Sequence, residues 1–119
     1  MKAPTGCALW TNPEPAATAV LRDGFERLRE FVDESHWSRS LLRCRECGQL
    51  YVFEFYEEID WVDGDDPQYC TWLPVETDAE VESLSRPAVA NLRAYRPHLR
   101  KDWPKGAPAA RVYWVRETE

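Results

Sequence analysis

The strongest periodic signal in the chain is an alternation. From Leu50 to Trp61 the odd positions carry Tyr51, Phe53, Phe55, Ile59 and Trp61, while the even positions include Glu54, Glu58 and Asp60. That is the two-residue repeat of a strand with one face on a core. Val62–Pro67 reads as a turn by composition, with Gly64 available for a positive φ. Gln68 to Val75 then returns as a second strand, which gives a long hairpin over about 50–61 and 68–75. Shorter strands are predicted at Trp37–Arg43 and at Arg111–Arg116, the latter on the sheet edge or beside the Trp37 strand.

Helical spacing dominates elsewhere. Starting at Thr18 or Asp23 and running to about Glu34, Val20, Leu21, Phe25, Leu28 and Phe31 or Val32 recur at three- and four-residue steps. Charged residues fill the other side, as in an amphipathic helix docked on a core. Gly24 weakens such a helix by about 1 kcal/mol relative to alanine without forbidding it. Thr77 and Glu80 fit a capping box that opens a helix near Asp78. Pro87 interrupts that segment, and a further helix is predicted through about Tyr95. Pro97, Pro104 and Pro108 mark 97–109 as a connection, and residues 1–17 as an irregular lead-in follow from Pro4, Pro13 and Pro15. The expected architecture is one α+β domain over residues 1–119. It has a small antiparallel sheet of about three to five strands that includes the long hairpin, packed with two or three helices.

Length and composition fit that picture: 119 residues and a 44% hydrophobic fraction suit one core. The net charge of −6 is unevenly spread. Glu46–Ser85 holds twelve acids and no lysine or arginine, and Arg86–Arg116 holds eight basic residues and one acid, Asp102. The two regions either lie side by side and neutralise each other, or leave the acidic one to steer a basic partner. Direct nucleic-acid binding is disfavoured, because only Arg39, Arg43 and Arg45 cluster near the one conspicuous motif. No stretch approaches the roughly 20 apolar residues of a membrane helix. Met1–Pro15 lacks the pattern of a signal or transit peptide, so the expected location is cytoplasmic, with thiols or metal ligation in place of disulfides.

Cys44-Arg45-Glu46-Cys47-Gly48, set between two strands, has the shape of a zinc knuckle: two thiolates in a tight turn with glycine relieving the backbone. Two ligands are not enough for a structural site, and the other candidates are Cys7, Cys70, His36 and His98. If 62–67 closes the hairpin, Cys70 pairs near Ile59, on the order of 40 Å from Cys47 along the strand, and is better read as a small buried hydrophobe. His36 lies on the order of 25 Å from Cys44 if the chain is extended. Cys7, in the loose lead-in, can reach the knuckle, and so can His98. The expected ligand set is therefore Cys44, Cys47, Cys7 as third and His98 as fourth, around a structural zinc. Two free thiols in a bare turn are the alternative.

Catalytic signatures are missing. There is no Gly-rich phosphate loop, H-E-x-x-H or G-x-S-x-G, and with two histidines a general base is scarce. Glu57 interrupts the apolar side of its strand, so it needs a partner such as Arg111 or Arg116, or a β-bulge that turns it outward.

The stretch from Cys44 through Gly48, Gln49, Leu50 and Tyr51 into Phe53-Glu54-Phe55-Tyr56 resembles small bacterial proteins with a C-x-x-C-G-Q knuckle before an aromatic strand, some of them immunity proteins. The resemblance implies stoichiometric inhibition of a cognate toxin, with acidic groups facing a basic site. A second C-x-x-C is absent here. Together these features give the expectation of a non-enzymatic protein-binding module. Its contact surface is Glu54, Tyr56, Glu58, Asp60, Trp61, Asp63, Asp65, Asp66, Tyr69 and Trp72. A metal- or thiol-dependent enzyme using Cys44 and Cys47 is the competing reading.

Overall fold

A computed structural model describes residues 2–15, 24–86 and 92–116. Six antiparallel strands form one sheet in sequential order: β1 (Phe25–Glu34), β2 (Trp37–Cys44), β3 (Leu50–Glu57), β4 (Gln68–Val75), β5 (His98–Trp103) and β6 (Arg111–Val115). Among the described residues the helices are short: α1 (Ala8–Thr11), α2 (Asp78–Ser85) and a 3-10 turn at Leu92–Ala94. The domain is therefore nearly all-β, which corrects the α+β expectation in both strand number and helix content.

The largest correction is at β1. Residues 18–23 of the expected helix lie outside the described residues, and 25–34 form an edge strand. Its pairing with β2 shifts register twice, between Arg27 and Arg29 and between Glu30 and Val32. Each shift places one extra residue, Leu28 or Phe31, against the partner strand. Two such bulges stretch the apolar spacing of a strand from two residues towards three, so the sequence imitates a helical stripe. Bulges and charged side chains also suit an edge strand, since both discourage pairing with another chain.

At β3 the strand ends at Glu57, four residues early, because the chain turns back through Glu58–Pro67, with the Glu58 amide donating to Pro67 O at 3.0 Å. Cys70 consequently pairs with Phe55 rather than near Ile59. Residues 98–103 form β5, not a connection. The prolines at 97 and 104 bracket six residues, enough for a strand that pairs with both β4 and β6. The Arg111 strand thus borders β5, away from β2. The capping box is formed: Glu80 N donates to Thr77 Oγ1 and Thr77 N donates to Glu80 Oε1. Residues 87–91 of the expected third helix lie outside the described residues, and its end is the 3-10 turn.

Both sheet faces are covered in part. On one face Phe25, Leu42, Tyr51, Phe53, Trp72 and Leu99 pack beneath Cys7 and Leu9 of the lead-in. The lead-in is fastened there by Trp114 Nε1 donating to Leu9 O at 2.6 Å and by Arg116 donating to Trp10 O at 2.9 Å. On the opposite face Val81, Leu84 and Leu92 pack on Leu41, Val52, Leu73 and Val75. Beside them, on that second face, Arg39 is wholly buried. Its guanidinium reaches the Glu54 carboxylate at 2.5 Å, Leu84 O at 3.2 Å and Arg86 O at 2.9 Å. One side chain thus joins two central strands to the carbonyl end of α2.

A buried cation that loses its anion is strongly destabilising, whereas replacing the whole pair with apolar groups is often tolerated. Glu54→Leu is expected to lower stability by about 3–5 kcal/mol, and Arg39→Met with Glu54→Leu to recover most of that loss. Urea denaturation of the parent, the single and the double variant measures both. A single variant within 1 kcal/mol of the parent contradicts this account of the core.

Candidate metal centre and the acidic face

The turn between β2 and β3 is built by the sequence Cys44–Gln49. Gly48 adopts a φ of 81°, its amide donates to Cys44 O at 2.8 Å, and Cys44 N donates to Gln49 O at 2.9 Å. A side chain at Gly48 would be strained by that φ, so glycine is required there. This fold of the backbone aims the amides of Glu46 and Cys47 at the Cys44 sulfur.

Cys7 arrives from the lead-in, 37 positions earlier in the chain, and the Sγ atoms of Cys7, Cys44 and Cys47 all lie within 4.8 Å of one another. A tetrahedral thiolate site with metal–sulfur bonds near 2.3 Å places its sulfurs about 3.8 Å apart, so the three thiols are close to that spacing as they stand. They are close enough to hold a metal ion.

The thiols differ in environment. Cys7 and Cys44 are buried and Cys47 is exposed. Burial pushes the Cys7 thiol up to about 12, against the opposing hydrogen bonds from Tyr51 and from the Leu9 amide. Burial also acts to raise Cys44, but the amides of Cys47 and Glu46 and the neighbouring thiols outweigh it, and Cys44 is held below its ordinary value. Among the described residues the Tyr51 hydroxyl is buried without a well-formed hydrogen bond, beside the Cys7 sulfur. Amide donors aimed at sulfur stabilise thiolate, the form that binds metal, and the Tyr51 hydroxyl stands where it can donate to a Cys7 thiolate.

The other proposed ligands are elsewhere. His98 opens β5 on the opposite face of the sheet, one position before Leu99, which packs with the cysteine-side core. It is buried, with Nδ1 bonded to Tyr95 O at 2.7 Å, and desolvation lowers its pKa. His36 pairs with Glu57 at 3.0 Å. Cys70 sits beside the first core cluster, and burial pushes its thiol up to about 11. Beside Cys47 a cleft of about 320 Å³ opens between Gly6, Gln49 and Glu76, and Glu76 there accepts from Gln49 Nε2 at 2.9 Å. The side of the cluster facing solvent is therefore not closed by a fourth side chain among the described residues.

Glu57 is half-buried, and its partners are His36 and Gln68, the latter at 2.9 Å; neither Arg111 nor Arg116 serves it. The first of those hydrogen bonds, from His36, lowers the Glu57 pKa.

The ten acidic and aromatic residues expected at a contact surface separate into three groups. Trp72 is core, 2% exposed on the cysteine side, and Glu54 is the buried partner of Arg39. Tyr56, Glu58 and Tyr69 border a groove on the second face. Asp60, Trp61, Asp63, Asp65 and Asp66 form the β3–β4 loop, which is extensively fastened. Asp60 accepts from the Val62 and Asp63 amides, and Asp66 accepts from the Asp60 amide at 2.7 Å. Lys105 bridges Asp60 at 2.9 Å and Asp63 at 2.8 Å, and the Gly106 amide donates to Asp65. Acidic and basic regions of the sequence thus do meet at this loop, while Asp102, the one acid of the basic region, takes Arg93 and Arg100 within it.

Sequence reasoning missed Trp37, Arg39, Thr71 and Arg93 beside the groove and Tyr51 beside the thiols. Arg39 carried a usable signal: it alternates with Trp37 and Leu41, and the tight β2–β3 connection sets it directly opposite Glu54. The basic cluster it was grouped with is not an exposed patch, since Arg39 is inside and Arg43 pairs with Glu26.

Comparison with family models, with curated proteins and with solved structures finds no match to this chain. No described helix is long and apolar enough to cross a membrane.

The Lys105 hydrogen bond, with the Asp63 and Val62 amides, holds the Asp60 carboxyl down to about 2 from its ordinary 3.8. A carboxyl lowered on folding adds stability that is complete above its unfolded pKa and disappears as pH falls through the folded one. The loop is therefore expected to keep its order at pH 4 and to lose this contribution towards pH 2. Lys105→Met is expected to move the Asp60 titration upwards, as read from carboxyl chemical shifts. An unchanged titration contradicts the clamp.

Proposed function

We propose that the chain is a non-enzymatic protein-binding module whose lead-in is clamped to its sheet by zinc. The observation that carries the binding role is the tip of the β3–β4 loop, where Trp61 is 90% exposed and Val62 87%. Two large apolar side chains stand in water on a backbone that the loop acids, Lys105 and Gly106 hold in place. A fastened loop loses little freedom on binding, and a tryptophan anchor buries much area, so the pair suits a contact tip. The surrounding acids favour a partner with basic groups around an apolar recess. The C-x-x-C-G-Q resemblance points the same way, towards an immunity-type protein that occludes the basic site of a toxin.

Three convergent sulfurs favour a soft or borderline ion, and a cysteine-rich tetrahedral set favours zinc. Zinc there would neutralise the buried thiolates and tie residue 7 to residues 44 and 47, a structural role. Burial of Cys7 and Cys44 and the sulfur-directed donors support it.

A second reading, metal-dependent catalysis, is favoured by one feature, the cleft beside Cys47. Against it, the carboxylate there is bonded to Gln49, and His36 and His98 are remote from the thiols.

Protein purified under reducing conditions is expected to contain one zinc per chain by elemental analysis, lost in Cys7→Ser and in Cys44→Ser. Tyr51→Phe is expected to keep the fold and weaken zinc by about 10–100-fold, the usual effect of deleting a group that supports a ligand. Absence of zinc after refolding in its presence contradicts the clamp. For the binding role, a partner retained by the parent chain is expected to be lost by Trp61→Ser/Val62→Ser and to dissociate with rising salt. Equal retention by the variant places the interface elsewhere, and sustained turnover of a substrate panel by zinc-loaded protein favours the second reading.

A further inference from the structure

Among the described residues the second sheet face is covered only in part. Beyond α2, the strands β2, β3 and β4 floor a groove of about 510 Å³ whose walls are Trp37, Tyr56 and Tyr69. Its polar groups divide by what they already hold. Arg93 donates to Thr71 Oγ1 and to Asp102, both at 3.0 Å, and lies over the Tyr69 ring at 5.2 Å. Glu54 accepts from Trp37 Nε1 at 2.8 Å and from Arg39 at 2.5 Å, and both bonds go to Oε2. Its other oxygen, Oε1, accepts no hydrogen bond among the described residues, although the residue is only 9% exposed and lines the groove. Glu58 stands exposed on the same rim, and its side chain accepts no hydrogen bond there either.

The preference comes from which acids are already taken. Glu54 is paired with Arg39 and Asp102 is shared by Arg93 and Arg100, so among the described residues Glu58 is the one acid lining the groove without an ion-pair partner. Aromatic walls attract a cation through their ring faces, and a half-used buried carboxylate attracts a donor. An anion would meet Glu58 and the spare oxygen of Glu54. A neutral apolar group would leave that oxygen desolvated and unpaired, so both alternatives are disfavoured.

We propose that this groove receives one basic side chain, arginine or lysine, from a protein partner, with the stem along Tyr56 and Tyr69 and the cation towards Glu54 Oε1 and Glu58. This rests on the reading of the chain as a binding module and gives that reading a second, chemically defined contact besides the Trp61–Val62 tip. A protein source is favoured over a free amine because the groove offers one unpaired acid, Glu58, at its rim. That matches a single cation on a tether better than a free diamine with two.

The test is an NMR titration of the full chain that follows the Trp37 indole N–H, which is bonded to Glu54 at the groove floor. The probes are capped arginine and capped lysine, capped norleucine and capped glutamate as controls, and butane-1,4-diamine. The capped basic residues are expected to shift the Trp37 signal with millimolar affinity that falls with salt, and the two controls to leave it in place. Glu58→Gln and Tyr56→Ala, both at exposed positions, are expected to weaken the basic probes at least fivefold while the rest of the spectrum is unchanged. No shift, an equal shift from norleucine or glutamate, or insensitivity to both variants overturns the proposal. Tighter binding of the diamine overturns the protein source. If the groove fails while Trp61→Ser/Val62→Ser still abolishes partner retention, the groove proposal alone falls. If the groove binds basic probes and no partner depends on the tip, the fault lies with the tip as interface.

Discussion

The buried guanidinium of Arg39 is the constraint around which this domain is arranged. It is wholly enclosed, on a central strand, in a chain that has few residues with which to enclose anything. Desolvating such a cation is tolerable only with a carboxylate and further acceptors at hydrogen-bonding distance. Glu54 is therefore fixed opposite it, the C-terminal carbonyls of α2 are drawn onto the sheet, and Trp37 is held with its ring 5.4 Å from the guanidinium and its indole N–H on Glu54. The position of the helix and the shape of the groove both follow from satisfying one charge.

The two faces then take different roles. Aromatic packing on the cysteine side, with Phe25, Phe53 and Trp72 against one another, leaves a smooth apolar surface that the lead-in must cover. A segment with one short helix has little means of holding itself there. Its fastenings are the Trp114 and Arg116 bonds at one end and Cys7 at the other, beside the knuckle. A metal bond at Cys7 would convert a loose cover into a fixed one, since binding energy at a site assembled only in the folded state is folding energy. The opposite face, beyond α2, carries charged and aromatic side chains around the groove among the described residues.

How much of this was legible in the sequence depended on local chemistry. The Gln68–Val75 strand, the Thr77–Glu80 cap and the convergence of Cys7 on the Cys44–Cys47 turn were readable, because each is set by a short-range pattern or by reach along the chain. Residues 25–34 misled, because bulges at Leu28 and Phe31 are decided by pairing with β2 and leave an apolar spacing that a helix also shows. His98 misled for a related reason: proline-bounded residues look like a connection until β4 offers them an edge, and that edge fixes which face the imidazole takes. Trp72 and Glu54 belonged to an acidic, aromatic stretch, yet strand parity and the Arg39 charge send both inward. Composition marked out the acidic, aromatic stretch, and register decided which members of it reach solvent.

The claim that most needs direct measurement is that three sulfurs, and no histidine, hold the ion. X-ray absorption at the zinc edge of the loaded, reduced protein counts the ligands by element and distance. Three sulfurs at about 2.3 Å with one lighter atom at about 2.0–2.2 Å is the result this account predicts, with loss of one sulfur in Cys7→Ser. A shell of two sulfurs with imidazole scattering, or a spectrum unchanged by Cys7→Ser, would contradict the clamp between the lead-in and the sheet.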